Sequence, residues 1–307
     1  MYWRYAEVDI NIIGVPIYYG CDRKGVENGP NKLREKGLIS ILSQNSLNKV
    51  FDFGNLNVEI VSEDKKYENH NKMKYLSPIT ELNKNLAHIV YSSLKGGSFP
   101  FVVGGDHSLG LGSLAGASKY FKDDLAVIWV DAHGDINTFD SSPSGNVHGM
   151  PLAASMGFGY KDLTNLYFHG RKIDPKKVFI ICARDLDEGE QSLIKNEGLN
   201  VWSTNYIQNI GVEALMDEVY KKLDEIKVNN IHLSFDIDCL DSSLVPGTGT
   251  PVDSGMNFNE VKKILEKILE TKKVRSMDFV EFNPEIDKDN ITLNNCLDML
   301  KVIGNNL

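Results

Sequence analysis

The stretch Val127-Ile-Trp-Val-Asp-Ala-His-Gly-Asp135 changes from apolar to charged within a few residues. The apolar run that ends at Val130 is typical of a short buried strand. Asp131, His133 and Asp135 then occupy every second position, and residues two apart point to the same side of extended backbone. We therefore expect two carboxylates and an imidazole to converge at the end of a strand. A hydrogen-bonded polar strand end is one interpretation, and a cation that neutralises the buried charge is the other.

Two other stretches have the same form and favour the cation. Phe101-Val-Val-Gly-Gly-Asp-His107 ends an apolar run in an imidazole, with paired glycines that allow a tight turn before a helix. Ile231-His-Leu-Ser-Phe-Asp-Ile-Asp238 again has acids two positions apart. In parallel α/β folds, functional sites gather at the carboxyl ends of strands. Three strand ends with carboxylate and imidazole groups therefore predict one metal site.

Strand and helix patterns alternate along the chain, which predicts βαβ units around a parallel sheet. Further strands are expected at residues 10–15, 50–53, 178–182, 201–202 and 274–280. Helices are expected from Gly29 onward and at residues 78–94, 151–156, 212–226, 258–269 and 293–303. No linker or repeat interrupts this pattern, so residues 1–307 are expected to form a single domain. The polar residues 62–74 are expected to form a solvated loop.

The composition is that of a soluble globular protein, with 42% hydrophobic and 24% charged residues. A net charge of −9 without a Lys/Arg cluster argues against a nucleic-acid surface. No apolar run resembles a signal peptide or approaches the length of a membrane span. Cys21, Cys182, Cys239 and Cys296 are widely spaced, which favours reduced thiols and a cytoplasmic location. The net charge and the absence of long apolar runs predict neither nucleic-acid nor membrane partners.

The motifs that carry these groups are Gly104-Gly-Asp-His-Ser108, Asp131-Ala-His-Gly-Asp-Ile-Asn137, Ser144-Gly-Asn-Val-His-Gly-Met-Pro151 and Ser234-Phe-Asp-Ile-Asp-Cys-Leu-Asp241. They resemble the arginase branch of the ureohydrolase family, and the resemblance extends from about Ile10 to Ile303. It implies a three-layer α/β/α fold around a mostly parallel sheet of about eight strands. Periodicity alone does not distinguish that fold from another doubly wound sheet.

Six side chains are the candidate metal ligands, namely His107, Asp131, His133, Asp135, Asp236 and Asp238. Four carboxylates and two imidazoles are too many for one ordinary ion, and they suit two ions that share carboxylates. Oxygen-rich ligation without thiolates favours a hard ion, and the imidazoles favour a transition metal. The resemblance implies two Mn²⁺ ions per chain, bridged by Asp131 and Asp236. It assigns His107 and Asp135 to one ion. His133 and Asp238 are assigned to the other.

The resemblance implies hydrolysis of L-arginine to L-ornithine and urea. A hydroxide shared by two adjacent cations forms near neutral pH and would attack the guanidinium carbon. Asp135 would hold the proton of this hydroxide. His148, on its own, would be interpreted as a loop residue, but the resemblance makes it a proton shuttle or general acid for the leaving amine. Glu281, at the end of the last strand, would pair with the guanidinium, and Thr250 matches a threonine near it.

The family pattern also implies which residues bind the amino-acid end of the substrate. Asn137, Ser144 and Asn146 match positions that bind the α-carboxylate. Asp187, with Glu190 nearby, matches positions that receive the α-ammonium group. Together they favour L-arginine over a decarboxylated analogue. The histidines without an expected role are His70, His88, His169 and His232.

The third metal motif departs from the common family pattern at two positions. Cys239 stands where a glycine is usual, and Ser242 where a proline is usual. Alternation along a strand would turn Cys239 away from the metals, and a buried cysteine is most often an apolar filler. The ligand set is therefore expected to be intact.

Several alternatives remain open. A sister ureohydrolase would act on agmatine or another guanidino compound, and only kinetics would distinguish it. A metal-binding homologue without turnover would be expected to lose a ligand, and all six candidates are present. A zinc deacetylase of related architecture would hold one metal and would not need His107. By family resemblance, the chain is expected to assemble as a homo-oligomer, either a trimer or a hexamer.

Overall fold

One sheet of eight parallel strands runs through the computed structural model, which describes residues 8–44 and 49–307. The strands are Ile10–Val15 (β1), Val50–Asn55 (β2), Phe99–Gly104 (β3), Ala126–Val130 (β4), Val178–Ala183 (β5), Asn200–Ser203 (β6), Ile231–Asp236 (β7) and Val274–Val280 (β8). Their order across the sheet is β2-β1-β3-β8-β7-β4-β5-β6, and every neighbouring pair is parallel. The prediction of a parallel sheet of this size is confirmed.

Helices link the strands. They are Gly29–Glu35 (α1), Leu38–Leu42 (α2), Leu76–Lys95 (α3), Gly110–Phe121 (α4), Pro151–Ser155 (α5), Lys161–Thr164 (α6), Glu188–Glu197 (α7), Thr204–Ile226 (α8), Phe258–Glu270 (α9) and Ile291–Asn306 (α10). Short 3-10 segments are Val26–Asn28, Glu63–Lys65, His107–Leu109, Val147–Gly149, Pro175–Lys177 and Ile237–Cys239. Among the described residues, no helix is both long enough and apolar enough to cross a membrane.

Buried side chains form a core on each face of the sheet. In β4, Ile128 and Val130 join the core that α1, α2, α8, α9 and α10 cover. Val127 and Trp129 join the other core, beneath α3, α4 and α5. This alternation follows the two-residue period of a strand. Because helices cover both faces, the predicted three-layer α/β/α fold is confirmed.

Helix α9 shows how local sequence and packing agree. Asn257 caps its start by accepting a hydrogen bond from the backbone N–H of Glu260, whose carboxylate accepts one from the N–H of Asn257. Such a cap stabilises a helix by about 1 kcal/mol. Val261, Ile264 and Ile268 follow at helical spacing, and all three are buried against the sheet.

Three segments differ from the sequence prediction. Helix α8 begins eight residues before Val212, because two helical pieces meet at Gly211, where φ is 82°. Helix α7 is absent from the sequence prediction, and Asp187 and Glu190 form its capping box. The prediction of a solvated loop at residues 62–74 is wrong near its end, because Met73 is fully buried.

The order of the strands brings four strand ends together. Strands β3, β8, β7 and β4 are neighbours in the middle of the sheet, and their carboxyl ends face the same edge. His107 follows β3, Glu281 follows β8, Asp236 ends β7 and Asp131 follows β4. Charged groups that are distant in sequence therefore meet above the middle of the sheet.

Candidate active site

Asp131 lies at the centre of the predicted ligand cluster. Its Oδ2 atom is 3.0 Å from Nδ1 of His107, and its Oδ1 atom is 3.4 Å from Nδ1 of His133. Each oxygen therefore faces a different histidine. The two groups of possible ligands are His107, Asp131 and Asp135, and Asp131, His133 and Asp238. Within each group, the ligand atoms lie within 4.8 Å of one another.

The end of β7 supplies two further acids to the cluster. Oδ2 of Asp236 is 3.2 Å from Nδ1 of His107, and its Oδ1 accepts a 2.8 Å hydrogen bond from the backbone N–H of Asp238. Oδ2 of Asp238 is 3.2 Å from Nδ1 of His133. Asp236 thus approaches the first group and orients the turn that carries Asp238 into the second. All six predicted ligands meet in one place.

The contacts within this cluster fit a cation. Among the residues that the structure describes, Nδ1 of His107 and Oδ2 of Asp135 are buried without a hydrogen bond, although they are only 3.0 Å apart. Atoms that surround one ion lie close together without the alignment of donor and acceptor. Carboxylate and imidazole groups without a thiolate suit a fairly hard divalent metal. The donor set therefore fits a metal ion beside each histidine.

Burial and mutual repulsion alter the titration of the cluster. Burial raises the pKa of Asp135 to about 6, and the charge of Asp131 adds to that effect. Burial alone would lower the pKa of His107. The charge of Asp135 and contacts with Asp131 and Asp236 nevertheless raise the pKa of His107 well above its ordinary value. Carboxylates outnumber imidazoles here, so a cation would stabilise the folded cluster.

The route by which Asp135 and His133 reach the cluster differs from the prediction. Strand β4 ends at Val130, and residues 131–135 are irregular, so alternation along a strand is the wrong reason for their convergence. Asp135 has a left-handed backbone with φ of 54°. Its carbonyl accepts hydrogen bonds from the N–H groups of Leu152 and Ala153 at the start of α5. This support turns Asp135 towards His107, whereas His133 joins the other group.

The two departures from the family pattern leave the cluster assembled. Cys239 lies in a 3-10 turn and not in a strand, so the alternation argument is wrong here as well. Its side chain is fully buried in the apolar core, and it belongs to neither ligand group. Burial raises the pKa of the Cys239 thiol well above its ordinary value. Ser242 donates a hydrogen bond to Asp253.

Two residues that the sequence reasoning missed hold the ligands in position. The indole of Trp129 stacks on the imidazole of His107, with ring centroids 4.1 Å apart, and its Nε1–H donates a 3.0 Å hydrogen bond to Asp131. The hydroxyl of Ser234 lies 2.7 Å from Nε2 of His107. Trp129 precedes the ligand Asp131 by two positions, and Ser234 precedes Asp236 by two. Because residues two apart share a face of a strand, this spacing could have identified both as supporting residues.

Ser234 connects the cluster to a buried polar network deeper in the sheet. Its hydroxyl donates to Oδ2 of Asp278 at 3.4 Å, and Ser113 donates to the same oxygen at 2.5 Å. Nε2 of His232 is 3.1 Å from that oxygen, and its Nδ1 is 2.8 Å from the hydroxyl of Ser276. His232 was expected to have no role at the strand end, and it lies behind the cluster as a member of this network.

Glu281 and His148 form a second pair of charged groups next to the cluster. Oε1 of Glu281 is 3.2 Å from Nδ1 of His148 and accepts a 2.8 Å hydrogen bond from the backbone N–H of His107. Within the described residues, Oε2 of Glu281 is buried without a hydrogen bond. Burial alone would lower the pKa of His148, but its contact with Glu281 and the charge of Asp135 raise the pKa above its ordinary value. The pair can therefore hold a proton and accept a cationic group.

A cleft opens above the cluster, and nearly every predicted substrate-binding residue lines it. The predicted residues in its wall are His133, Asp135, Asn137, Ser144, Asn146, His148, Asp187, Glu190 and Thr250. The others are Ser142, Pro143, Gly149 and Asp185. These groups come from the loop that follows β4, the segment that follows β5 and the loop that follows β7. Acid, amide and hydroxyl groups are thus assembled at the mouth of the metal cluster.

The amide and the acids at one side of the cleft are bound to one another. Nδ2 of Asn137 donates a 2.7 Å hydrogen bond to Asp187, and its Oδ1 accepts one from Ser141. Glu190 accepts hydrogen bonds from the backbone N–H groups of Asp187 and Ile136. Burial raises the pKa of Glu190 to about 7. Asn137 and Asp187 therefore act as a unit, and Glu190 holds that unit at the start of α7.

Two other residues that line the cleft, Thr250 and Asp185, approach the ligand cluster directly. The hydroxyl of Thr250 donates a 3.3 Å hydrogen bond to Oδ2 of Asp238. Asp185, for which the sequence suggested no role, lies 3.8 Å from Nε2 of His133 and is 67% exposed. Ser144 is exposed at the rim, and its hydroxyl accepts a hydrogen bond from the backbone N–H of Asn146.

Comparison with known proteins agrees with this geometry. The family model described as the Arginase family matches residues 8–303. The arginase of Brevibacillus brevis is 42% identical over 284 residues, which cover 92% of this chain and 93% of that protein. The crystal structure of arginase from Bacillus cereus has a TM-score of 0.89 at 39% identity, covering 96% of this chain and 98% of the other. Arginase from Entamoeba histolytica, solved in complex with L-ornithine, also has a TM-score of 0.89, at 31% identity, covering 98% and 99% of the two chains. The chain therefore belongs to the arginase family and is a hydrolase.

Proposed function

We propose that this protein hydrolyses L-arginine to L-ornithine and urea with two Mn²⁺ ions bound per chain. One observation carries the proposal: two groups of possible ligands share Asp131, and acid, amide and hydroxyl groups line the cleft above them. L-arginine has a matching form, with a guanidinium at one end and a carboxylate and an ammonium group at the other. The family supports the same substrate, because a related arginase was solved with L-ornithine.

The six clustered residues would hold the metal ions. His107 and Asp135 would belong to one ion and His133 and Asp238 to the other, with Asp131 and Asp236 shared. When bound, two adjacent ions lower the pKa of a shared water enough to supply hydroxide near neutral pH. The mixture of carboxylates and imidazoles favours Mn²⁺ over Mg²⁺ or Ca²⁺, which prefer oxygen ligands alone.

Glu281 and His148 would act on the guanidinium end of the substrate. The buried Oε2 atom of Glu281 is available to accept guanidinium N–H groups, and Gly249 keeps the approach to it open, since a Cβ atom there would lie 3.5 Å from that oxygen. His148 lines the cleft and is paired with Glu281, and this pairing favours the protonated form of the imidazole. His148 would deliver its proton to the leaving amine. Asp135 would hold the proton of the attacking water.

The rim of the cleft would bind the amino-acid end. Asn137, Ser144 and Asn146 offer neutral donors to the α-carboxylate without adding a charge that repels the guanidinium. Asp187, oriented by Asn137, would receive the α-ammonium group. An amine without the carboxylate would leave these donors without their partner, which disfavours it.

The runner-up is hydrolysis of agmatine or another guanidino compound. Agmatine has the same guanidinium, so neither the metal ligands nor Glu281 would distinguish it from L-arginine. The donors at the rim favour L-arginine, as does the identity of about 40% to arginases. A metal-binding protein without turnover is disfavoured, because all six ligands, Glu281 and His148 are together.

Urea release tests the proposal. The protein is incubated with Mn²⁺, or with a chelator, and then supplied with L-arginine or agmatine side by side. We expect urea from L-arginine in the Mn²⁺-loaded protein, little from agmatine, and none after chelation. A preference for agmatine would move the protein to the sister branch. No urea from either substrate would overturn hydrolysis of guanidino compounds.

A further inference from the structure

The segment that precedes α3 contacts the rim of the cleft from behind. The backbone N–H of Lys74 donates a 3.0 Å hydrogen bond to the carbonyl of Gly145. A Cβ atom on Gly145 would lie 2.2 Å from the carbonyl oxygen of Lys72, and Gly145 has φ of 72°, so only glycine permits this approach. The loop that contains Ser144 and Asn146 is therefore packed tightly on residues 72–74.

The ammonium group of Lys74 lies in this interface. The side chain is only 15% exposed, and its Nζ atom lies 2.8 Å from Oδ1 of Asn146 and 3.0 Å from Oδ2 of Asp22. Lys66 contacts the same oxygen of Asp22 at 2.9 Å. Two ammonium groups therefore share the carboxylate of Asp22, and the one on Lys74 also contacts Asn146.

The contacts with Lys74 and with the carbonyl of Cys21 together fix which end of the Asn146 amide faces which partner. An ammonium group only donates, so Oδ1 of Asn146 must point towards Lys74. The Nδ2 group then donates a 3.1 Å hydrogen bond to the carbonyl of Cys21 and keeps a second N–H. Asn146 lines the cleft, so this N–H is the one that is available to an incoming acceptor. A flipped amide would instead offer an oxygen, which repels a carboxylate.

The charges of the residues that line the cleft also support a role for Lys74 at the carboxylate end of the substrate. Among the described residues that line the cleft, the charged side chains are acids and histidines, and no lysine or arginine is present. The acids suit the guanidinium and ammonium groups of an amino-acid substrate but oppose its carboxylate. Lys74 contacts Asn146, which lines the cleft, so it supplies positive charge beside the carboxylate end without lining the cleft itself.

We propose that Lys74 is a positioning residue for substrate carboxylate recognition, which acts through Asn146. The inference rests on the proposed function, because it concerns the α-carboxylate of the same substrate. Loss of the ammonium group removes one of the two contacts that fix the amide orientation, and it also removes the nearby charge. Binding of substrates with an α-carboxylate weakens, whereas binding of the same guanidinium without a carboxylate does not.

The experiment compares Lys74→Met with Lys74→Arg and with Lys66→Met in the Mn²⁺-loaded protein. Lys66→Met is the matched control, because it breaks an ion pair to the same Asp22 oxygen but does not touch Asn146. KM and kcat are measured for L-arginine and for agmatine. In a second arm, the binding of L-ornithine and of putrescine, which lacks the carboxylate, is measured by calorimetry.

For Lys74→Met we expect KM for L-arginine to rise about tenfold with kcat within about twofold, as for the loss of a charge-assisted hydrogen bond. Agmatine kinetics should be unchanged. L-ornithine binding should weaken by the same factor, and putrescine binding should not change. Lys66→Met should stay within about twofold for L-arginine, and Lys74→Arg should recover part of the loss, since it keeps the charge and the donors.

Equal losses on L-arginine and agmatine, or a loss in kcat alone, would make Lys74 a structural residue and overturn the inference. A similar rise in KM in Lys66→Met would attribute the effect to Asp22 and its loop, and would also overturn it. If the wild type releases no urea, the proposed function fails and the binding arm decides. Selective weakening of L-ornithine binding then supports the role of Lys74, and equal weakening, no change or no binding rejects it.

Discussion

The floor and the rim of the cleft are built in different ways. We define the floor as His107, Asp131, His133, Asp135, Asp236 and Asp238, and the rim as Asn137, Ser144, Asn146, Asp187 and Thr250. The floor follows directly from strand ends, and a sheet and two apolar cores hold it. The rim lies mainly on loops. Asn137 and Asp187 hold each other, Lys74 holds Asn146, and Thr250 contacts the floor through Asp238. Under the proposed function, the chemistry would depend on the rigid part of the fold and the specificity on loops, which vary more readily.

The floor itself is asymmetric. His107 is 1% exposed, stacked on Trp129 and hydrogen bonded to Ser234, whereas His133 is 23% exposed and has an exposed aspartate at its outer nitrogen. A ligand with buried support is held more firmly in place than one at the edge of solvent. We therefore expect the metal ion beside His133 to exchange faster than the ion beside His107.

The largest effect is expected from Asp131→Ala, because both ligand groups share this residue. The variant should lose both metal ions after dialysis, and its urea release should fall to the level of the chelated wild type. Its melting temperature should no longer respond to Mn²⁺, since the folded site no longer binds the ion. Asp140→Ala is the control, because that aspartate is exposed and pairs only with Lys72 at the surface. Two ions per chain retained in Asp131→Ala would contradict the shared position.

His148→Asn tests a residue that lies beside the floor without being one of its ligands. The residue touches Glu281 but belongs to neither ligand group, so metal content and fold should remain those of the wild type. Loss of a general acid predicts a decrease of about 10²–10⁴ in kcat. The measurement is kcat across a range of pH, with His88→Asn as an exposed histidine control. Activity within a few-fold of wild type at every pH would return His148 to a structural role in its loop.

Ser234→Ala tests whether the floor depends on its buried support. The variant removes the hydroxyl 2.7 Å from Nε2 of His107 and leaves every ligand in place. Loss of such a supporting hydrogen bond lowers metal affinity by about 10–100-fold. Competition with a chelator measures this affinity, and Ser276→Ala, which alters only the contact to His232, is the comparison. An equal decrease in metal affinity in both variants would mean that the buried network as a whole, and not the Ser234 hydroxyl, supports the site.

The sequence located the floor because each of its segments follows an apolar run of strand length. Asp131, His107 and Asp236 stand where the apolar pattern stops, and parallel strands bring such positions to one edge. The strand order was beyond reach, since β8 and β7 lie between β3 and β4 although they come last in the chain. The left-handed backbone of Asp135 was also beyond reach, because it depends on hydrogen bonds from α5.

The rim and its support were harder to read from the sequence. Lys74 lies in a charged stretch that is typical of a solvated loop, and its partners Asp22 and Asn146 are remote in sequence. A charge pattern reports composition and does not reveal a long-range ion pair. The roles of the rim residues came from family resemblance alone, and each remains a prediction.

Discrimination between substrates should reside in the rim. Ser144→Ala and Asn137→Ala should lower kcat/KM for L-arginine and leave the slower agmatine reaction nearly unchanged. Sites that bind a polar group can reject the analogue without it by roughly 10⁴–10⁵, but water can replace a partner at an open rim, so about tenfold per residue is expected here. The Asn137 variant should lose more, because its amide also orients Asp187. Proportional losses on both substrates would mean that these residues shape the whole cleft.

The smallest effect is expected from Cys239→Gly, which tests whether the floor ends at its six ligands. Cys239 is adjacent to Asp238 but is buried in the apolar core, so removal of its thiol should leave two metal ions and near wild-type kcat. The cost should appear in stability, because a small cavity and a more flexible backbone together destabilise by about 1–2 kcal/mol, which lowers the melting temperature by a few degrees. Cys296→Ala, in the same core, gives the reference for losing a buried thiol that is not next to a ligand in the sequence. Metal analysis and thermal melting of both variants separate packing from ligation. If Cys239→Gly loses a metal ion and Cys296→Ala does not, the Cys239 thiol is a ligand, and the floor has a seventh member.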